Sequence, residues 1–385
     1  MRRPAPRVRR HAPARVKLAL VTPGGVDESG TERVIPAFLW LIERLARRHD
    51  VHVFALAQEP RPRDWSLLGA RVHNVGSVGA RRLRFQRTFA REHRVAPFDL
   101  VHALFGGSAL HAIPAAVRFG IPVVTHLTGG ELLRLPDVGY GDQLTLRGRL
   151  KTRAVVAMSS EVSVGTTYMQ RLARELGISA RLAPLGVALD RWPLSAPRPR
   201  DESRAARLLN VSDIRPVKDH RTLLEAAALL RDRDVRFELH LAGHDTTDGA
   251  VRRSDAARAV ADVTRWHDVV GREALHPLVC ESDLLLHSSR HEAGPMAVLE
   301  AAIAGVPTVG TSVGHVEDWA PDAAVAVAPG DPVALADAVA GLLDDESRRL
   351  RLAREAQRRA AAIDADFTAA SFERLYAEVL AGRRR

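Results

Sequence analysis

From Val16 onward the chain alternates between two hydrophobic periods. Val16 to Val21 is an almost unbroken apolar run, and residues 22–30 are rich in glycine and polar groups. Thr31 to Arg48 then sets Val34, Ile35, Phe38, Leu41, Ile42 and Leu45 on one helical face, and Asp50 to Ala57 returns to an apolar, β-branched run. A buried strand, a turn, an amphipathic helix and a second buried strand make one βαβ unit. Ser29 with Glu32 three residues later forms a capping box. The glycine-rich stretch around Gly30 is therefore expected at the N-terminus of this helix.

The alternation recurs. Asp99 to Phe105 and Ile121 to Leu127 read as strands on either side of a helix from Ser108 to Phe119, which Gly120 ends. It restarts after the proline-rich link Trp192 to Pro199, with strands at Ala206–Val211, Arg236–Ala242, Leu284–His287 and Val306–Gly310. Between them lie helices at His220–Arg231, near Ser254–Val263 and at Pro295–Ala304. The fold class this predicts is α/β, with two facing doubly wound, Rossmann-like domains over residues 15–190 and 191–365. Pro332–Leu343 and Ser347–Leu380 read as helices, and the last stretch, 366–385, is expected to close its own domain or to return to the first. Residues 1–14 combine proline with five arginines and no apolar period, which predicts a disordered basic tail.

A length of 385 residues, 46% hydrophobic and 26% charged, suits a soluble globular protein of two or three domains. No apolar run approaches the roughly 18 residues of a membrane span. The single cysteine, Cys280, makes no internal disulfide, and no Cys/His grouping has zinc-site spacing, so a reducing cytoplasm and no metal are expected. Charge changes the picture more than composition does. Residues 1–190 carry +14 and residues 191–385 carry −4, which directs the first domain toward an anionic partner. Only three of the 56 basic residues are lysines, so part of that surplus is a compositional preference for arginine. Arg81 to Arg94 holds six arginines around Leu83, Phe85 and Phe89. It suits a helix lying peripherally on an anionic membrane at the inner face, and equally a helix with a solvated basic face. Nucleic acid is not expected, since no binding motif is present and aromatic residues make up 5% of the chain.

The densest chemistry lies in residues 289–307. A loop carrying Glu292 runs through Gly294 into a helix with Pro295 at its first position, where a missing N–H costs nothing. The free N–H groups of Met296 and Ala297, helped by the helix dipole, would hold an anion such as a diphosphate. Glu292 before the helix and Glu300 within it could each accept hydroxyl protons of a sugar. By spacing alone they could equally be a solvated loop acid and an ordinary helix residue. Lys218, the only lysine in the second half, stands with Arg215 between a strand and the helix from His220. A compact ammonium suits a departing phosphate, although a solvated loop lysine would look the same. His126 and Thr128 share one face of their strand. His126 is thus either a group facing a cleft or a core histidine.

Residues 289–301 (Ser-Arg-His-Glu-Ala-Gly-Pro-Met-Ala-Val-Leu-Glu-Ala), followed by Gly305-Val-Pro-Thr-Val-Gly, resemble the signature of the retaining glycosyltransferases of family 4, which have the GT-B fold. Residues 29–34 resemble that family's first glycine loop, 183–192 its domain junction and 241–243 the start of its donor-domain loop, so the likeness runs from about Val16 to the C-terminus. The resemblance implies a UDP- or GDP-linked sugar as donor substrate, with no cofactor, held by the second domain, and an acceptor held by the first. It implies that Glu292 contacts the donor sugar and Glu300 the ribose. Gly30, Arg215, Lys218, Gly294, Pro295, Met296 and Ala297 would surround the donor, with Glu292, Lys218 and His126 as the catalytic candidates. Fixed cations and dipoles would then do the work of a metal. Two departures stand out. The family's arginine falls here on Asp213, which is expected to point away while Arg215 takes over its contact, and the family's histidine position falls on Thr128. A sugar-nucleotide epimerase or hydrolase on the same fold, or a non-catalytic binding scaffold, are the rival readings, and a requirement for an acceptor separates them.

Overall fold

The computed structural model describes residues 15–383; the tail expected at 1–14 lies outside them. Eight strands form the first sheet: β1 (Lys17–Thr22), β2 (Asp50–Ala55), β3 (Arg63–Leu67), β4 (Ala70–Asn74), β5 (Leu100–Leu104), β6 (Val123–Leu127), β7 (Glu161–Val164) and β8 (Arg181–Leu182). Their order is 3-4-2-1-5-6-7-8, and only β3 runs antiparallel to its neighbour. Helices α1 (Pro36–Ala46), α2 (Arg81–Val95), α3 (Gly106–Phe119), α4 (Leu146–Met158) and α5 (Thr167–Glu175) belong to this domain. The second sheet has β9 (Ala206–Val211), β10 (Phe237–Ala242), β11 (Thr264–His267), β12 (Leu284–His287), β13 (Thr308–Thr311) and β14 (Val325–Val327), all parallel, in the order 11-10-9-12-13-14. With it go α6 (His220–Asp232), α7 (Asp255–Ala259), α8 (Arg272–Cys280), α9 (Met296–Ile303) and α10 (Gly314–Trp319), then α11 (Pro332–Asp344), α12 (Glu346–Ala362) and α13 (Ala365–Gly382).

These are the two doubly wound domains that the alternating pattern predicts. β1, β5, β6 and β12 are buried along their whole length, which is why they read as apolar runs without a polar face. Each sheet reverses its winding once, between β1 and β5 and between β9 and β12. Ligand sites in such sheets lie beyond the carboxyl ends of the strands at that reversal.

Two local expectations are corrected, and one hairpin is added. Ser29 Oγ does accept the Glu32 N–H at 3.0 Å, but Arg33 takes a φ of 47°, so the bond closes a loop turn and α1 starts only at Pro36. The helix expected near Ser254–Val263 is the single short α7. The hairpin of β3 and β4 went unread; it turns at Leu68 and Gly69, both with positive φ, the conformation that a two-residue hairpin turn requires.

The chain's last helix crosses over. Phe372, Leu375 and Tyr376 of α13 share a core with Leu18, Leu20 and Val124 of the first sheet. Tyr376 Oη lies 2.6 Å from His102 Nδ1. A further core joins the domains where Trp40 of α1 and the fully buried Trp192 meet Val298 and Leu299 of α9. In α2 the aromatics of the basic stretch face inward: Phe85 and Phe89 are fully buried, each 5.5 Å from the Phe54 ring. Phe85 and Phe89 are thus used by the core while Leu83 stays exposed, and α2 shows solvent a basic face of Arg82, Arg87, Arg91 and Arg94. No described helix is long and apolar enough to cross a membrane.

Candidate active site

The reversal between β9 and β12 places the loops that follow these strands side by side. Val217 O accepts the Arg290 N–H at 2.8 Å and Lys218 O accepts the Ser288 hydroxyl at 2.9 Å, which sews one loop to the other. Asp219, in the left-handed region, caps α6 through the Thr222 N–H and leaves Lys218 at the end of a single 3₁₀ turn. Its Nζ lies 2.5 Å from Glu292 Oε1. The same oxygen accepts the Ser289 hydroxyl at 2.8 Å and stands 3.3 Å from His287 Nε2. Burial opposes charge on Glu292, yet the Lys218 ammonium and the hydrogen bond from His287 outweigh it and hold the carboxyl well below the usual range. Glu292 is therefore an anion locked in an ion pair.

Beyond it, α9 begins one residue later than expected: Pro295 is the N-cap, Met296 opens the helix, and no side chain caps it. The first N–H groups, on Met296 and Ala297, have no carbonyl one turn back to bond. Gly314 makes this turn possible. It has a φ of 56°, and a Cβ there would stand 2.9 Å from Pro295 Cδ and 3.1 Å from Glu292 O. Next to it His315 is buried, which lowers its pKa to about 4 and keeps the ring neutral.

The first domain closes over this wall. Thr166 Oγ1 donates to Ala293 O at 2.8 Å, Tyr168 Oη lies 3.1 Å from His291 Nδ1, and the Thr167 and Tyr168 N–H groups bond to the Asp318 carboxylate. Arg290 pairs with Asp137 across the gap. Tyr140 is pushed up to about 12 by burial, with Glu131 and Glu292 adding and Arg215 opposing. Arg215 therefore lies within electrostatic reach of the cleft, while Asp213 is exposed and has no ion pair among the described residues.

One expected site residue stands elsewhere. His126 is fully buried, with Nδ1 2.9 Å from Ser163 Oγ and its ring edge-on to Phe372, and burial lowers its pKa to about 3. It belongs to the core beneath α13. Gly30, in the loop after β1, bonds to Asp27 O and lies near Leu67, with five residues between it and the first residue of α1. Glu300 is on α9 as expected, but its carboxylate accepts from Arg272 Nη2 at 3.0 Å. The Arg272 guanidinium lies over the rings of Trp40 at 4.4 Å and Trp192 at 5.3 Å. Burial pushes Glu300 up to about 7, with Arg272 opposing.

Lys218, Glu292 and the residues 294–297 thus share one site, and Glu300 lies further along the same helix. Sequence reading missed His287, Ser289, Gly314, His315, Arg272, Tyr140, Thr166 and Tyr168. His287 and Ser289 flank the glutamate motif and were legible by position. Tyr140, Thr166 and Tyr168 carried no signal, because the other domain alone defines their role.

Residues 34–188 match the model of a glycosyl transferase 4-like domain, and residues 197–359 match that of glycosyl transferases group 1. A D-inositol 3-phosphate glycosyltransferase of Streptomyces avermitilis is 27% identical over 328 residues, which cover 76% of this chain and 68% of that protein. A sucrose-phosphate synthase from Thermosynechococcus elongatus superposes with a TM-score of 0.77 at 18% identity, over 96% of this chain and 100% of that one. Anabaena HepE, crystallised with UDP and glucose, superposes with a TM-score of 0.71 at 14% identity, over 94% and 100%. With one family model on each domain and the two sheets superposing on such enzymes, this chain belongs to the group 1 glycosyltransferases of the GT-B fold.

Proposed function

We propose that the protein is a retaining glycosyltransferase that takes a sugar from a nucleoside-diphosphate donor on the second domain and passes it to an acceptor entering from the first. One observation carries this reading: the Lys218–Glu292 ion pair stands beside the uncapped N-terminus of α9, at the reversal of a parallel sheet. As the glycosidic bond breaks, negative charge grows on the diphosphate. Lys218 and the N–H groups of Met296 and Ala297 are fixed donors for that charge and need no reorganisation when it appears. Glu292 holds Lys218 and accepts a sugar hydroxyl. Tied into its ion pair, it is not a free nucleophile, so the acceptor attacks on the face that the diphosphate leaves. The likeness to HepE, crystallised with UDP and glucose, supports a nucleotide-sugar donor. The +14 charge of residues 1–190 and the likeness to an enzyme named for inositol 3-phosphate support an anionic, phosphorylated acceptor.

Incubation with a panel of UDP- and GDP-sugars, with and without inositol 3-phosphate and other phosphorylated polyols, tests the reading. Acceptor-dependent release of nucleotide and a product with the donor's anomeric configuration by NMR are expected. An epimerised donor formed without acceptor, or an inverted product, would overturn it.

A further inference from the structure

Away from the cleft, three segments of the first domain converge on one point. His52 of β2, His73 of β4 and Glu92 of α2 each bring a ligand atom to within 4.8 Å of the others. The register pairs His52 with Arg71 and Phe54 with His73, so the two rings stack diagonally across adjacent strands with centroids 5.2 Å apart. Both rings are buried. His52 Nδ1 lies 3.0 Å from His73 Nε2 and 3.8 Å from Glu92 Oε2.

The outer nitrogens constrain the inner ones. His73 Nδ1 faces Asp64 Oδ1 at 3.3 Å and His52 Nε2 faces Asp50 Oδ1 at 3.7 Å, charge contacts only, since both nitrogens are buried without a hydrogen-bond partner among the described residues. A neutral imidazole carries one N–H, and each carboxylate favours that proton on its own side. With both protons outward the inner nitrogens present lone pairs to each other at 3.0 Å, a setting for a cation; with one proton inward the rings share a hydrogen bond instead. The facing charges balance. Lys17, Arg71 and Arg91 stand against Asp50, Asp64 and Glu92; Arg91 bonds Asp64 Oδ2 and, of the two Glu92 oxygens, Oε1 alone, leaving Oε2 toward the rings. In the second domain His240 and His267 stack in the same way, also 3.0 Å apart, but a carboxylate, that of Glu238, faces the outer nitrogen of His240 alone, and no third ligand joins them among the described residues. His267 is free to keep its proton on the inner nitrogen there, so that pair has no conflict.

We propose that His52 Nδ1, His73 Nε2 and Glu92 hold a divalent transition metal of the zinc or nickel class in a structural site that fastens α2 to β2 and β4. Two imidazoles and a carboxylate suit these ions, water completing the shell, and ligating histidines commonly carry their other N–H on a carboxylate, as Asp64 and Asp50 allow here. The ligands sit 21 and 19 residues apart on separate elements, which is why no local spacing announces them.

Untagged full-length protein, stripped with a chelator and titrated calorimetrically with ZnCl₂, is expected to take up one equivalent and to melt at a higher temperature with the metal than without. His73→Gln and Glu92→Gln should each weaken uptake at least tenfold, and His240→Gln should leave it unchanged. Cobalt-loaded protein should show the visible absorption of a four-coordinate site, lost in both ligand variants. Glu92 is only half-buried on a helix, so E92Q tests the site even if H73Q fails to fold. Absence of saturable uptake, or uptake equal in wild type and E92Q, would overturn the proposal.

Discussion

Replacing Lys218 by Met keeps the stem and removes the ammonium from Glu292. The lysine side chain is 22% exposed and the glutamate 12%. Breaking a fully buried pair costs about 3–5 kcal/mol because one charge is stranded. Here both ends keep some water, and Ser289 and His287 still face the carboxylate at 2.8 and 3.3 Å, so a loss of stability of about 1–3 kcal/mol is expected. The pH dependence follows from the same pair. In wild type the folded carboxyl lies below its unfolded value of about 4.3, so its contribution is complete above that pH and is lost only as pH falls through the folded value, in strong acid. The gap between wild type and Lys218→Met should therefore be full at pH 7 and narrow below about pH 4. Lys218→Met combined with Glu292→Gln removes both charges and should recover part of the stability. Turnover should not recover, because the charge that Lys218 stabilises grows only as the bond breaks. Loss of one such donor costs about 10²–10³ in kcat, against a smaller loss of ground-state donor affinity. Urea unfolding, calorimetry of donor binding and single-turnover kinetics measure the three quantities. A kcat within twofold of wild type at saturating donor, or a double variant no more stable than Lys218→Met, would refute the reasoning.

Glu300 titrates near 7 when folded and near 4.3 when unfolded, so the unfolded chain gives up its proton first and wild-type stability should decline between these values; Glu300→Gln should flatten that slope in urea titrations from pH 4 to 8. Glu300→Ala should weaken nucleotide binding by about 1–3 kcal/mol, and unchanged affinity by calorimetry would remove the ribose role. Gly314→Ala puts a methyl in the left-handed region 2.9 Å from Pro295 Cδ, so the start of α9 must shift; loss of donor affinity together with a lower melting temperature is expected. Tyr376→Phe leaves the buried His102 Nδ1 without its phenol and should cost about 1–3 kcal/mol by urea unfolding, with proteolysis within α13 rising in parallel.

The fold class, eight of the fourteen strands and the make-up of the α9 loop can be read from the amino-acid order alone. Strands buried on both faces are apolar runs wherever they occur, and Glu292, Gly294 and Pro295 lie in one short segment whose local chemistry is complete. Lys218 was legible too, being the lone lysine in a strand-to-helix loop. What failed needed knowledge of the opposing surface. Strand parity showed that His126 and Thr128 share a face, but only the return of α13 put Phe372 over His126 and took that ring out of any cleft. The capping box at Ser29 formed its bond, yet Pro36 and not Ser29 starts α1. The amphipathic pattern of Arg81 to Arg94 named a helix correctly and could not say that its phenylalanines meet Phe54 instead of lipid. Glu300 owes its partner to Arg272, held over Trp40 from the other domain, and its raised pKa to burial that Arg272 opposes. Periodicity reports which side of an element avoids water. What excludes the water, and what charge or ring lies there, is set by segments that only the folded chain brings together, and that surrounding decides protonation and chemistry.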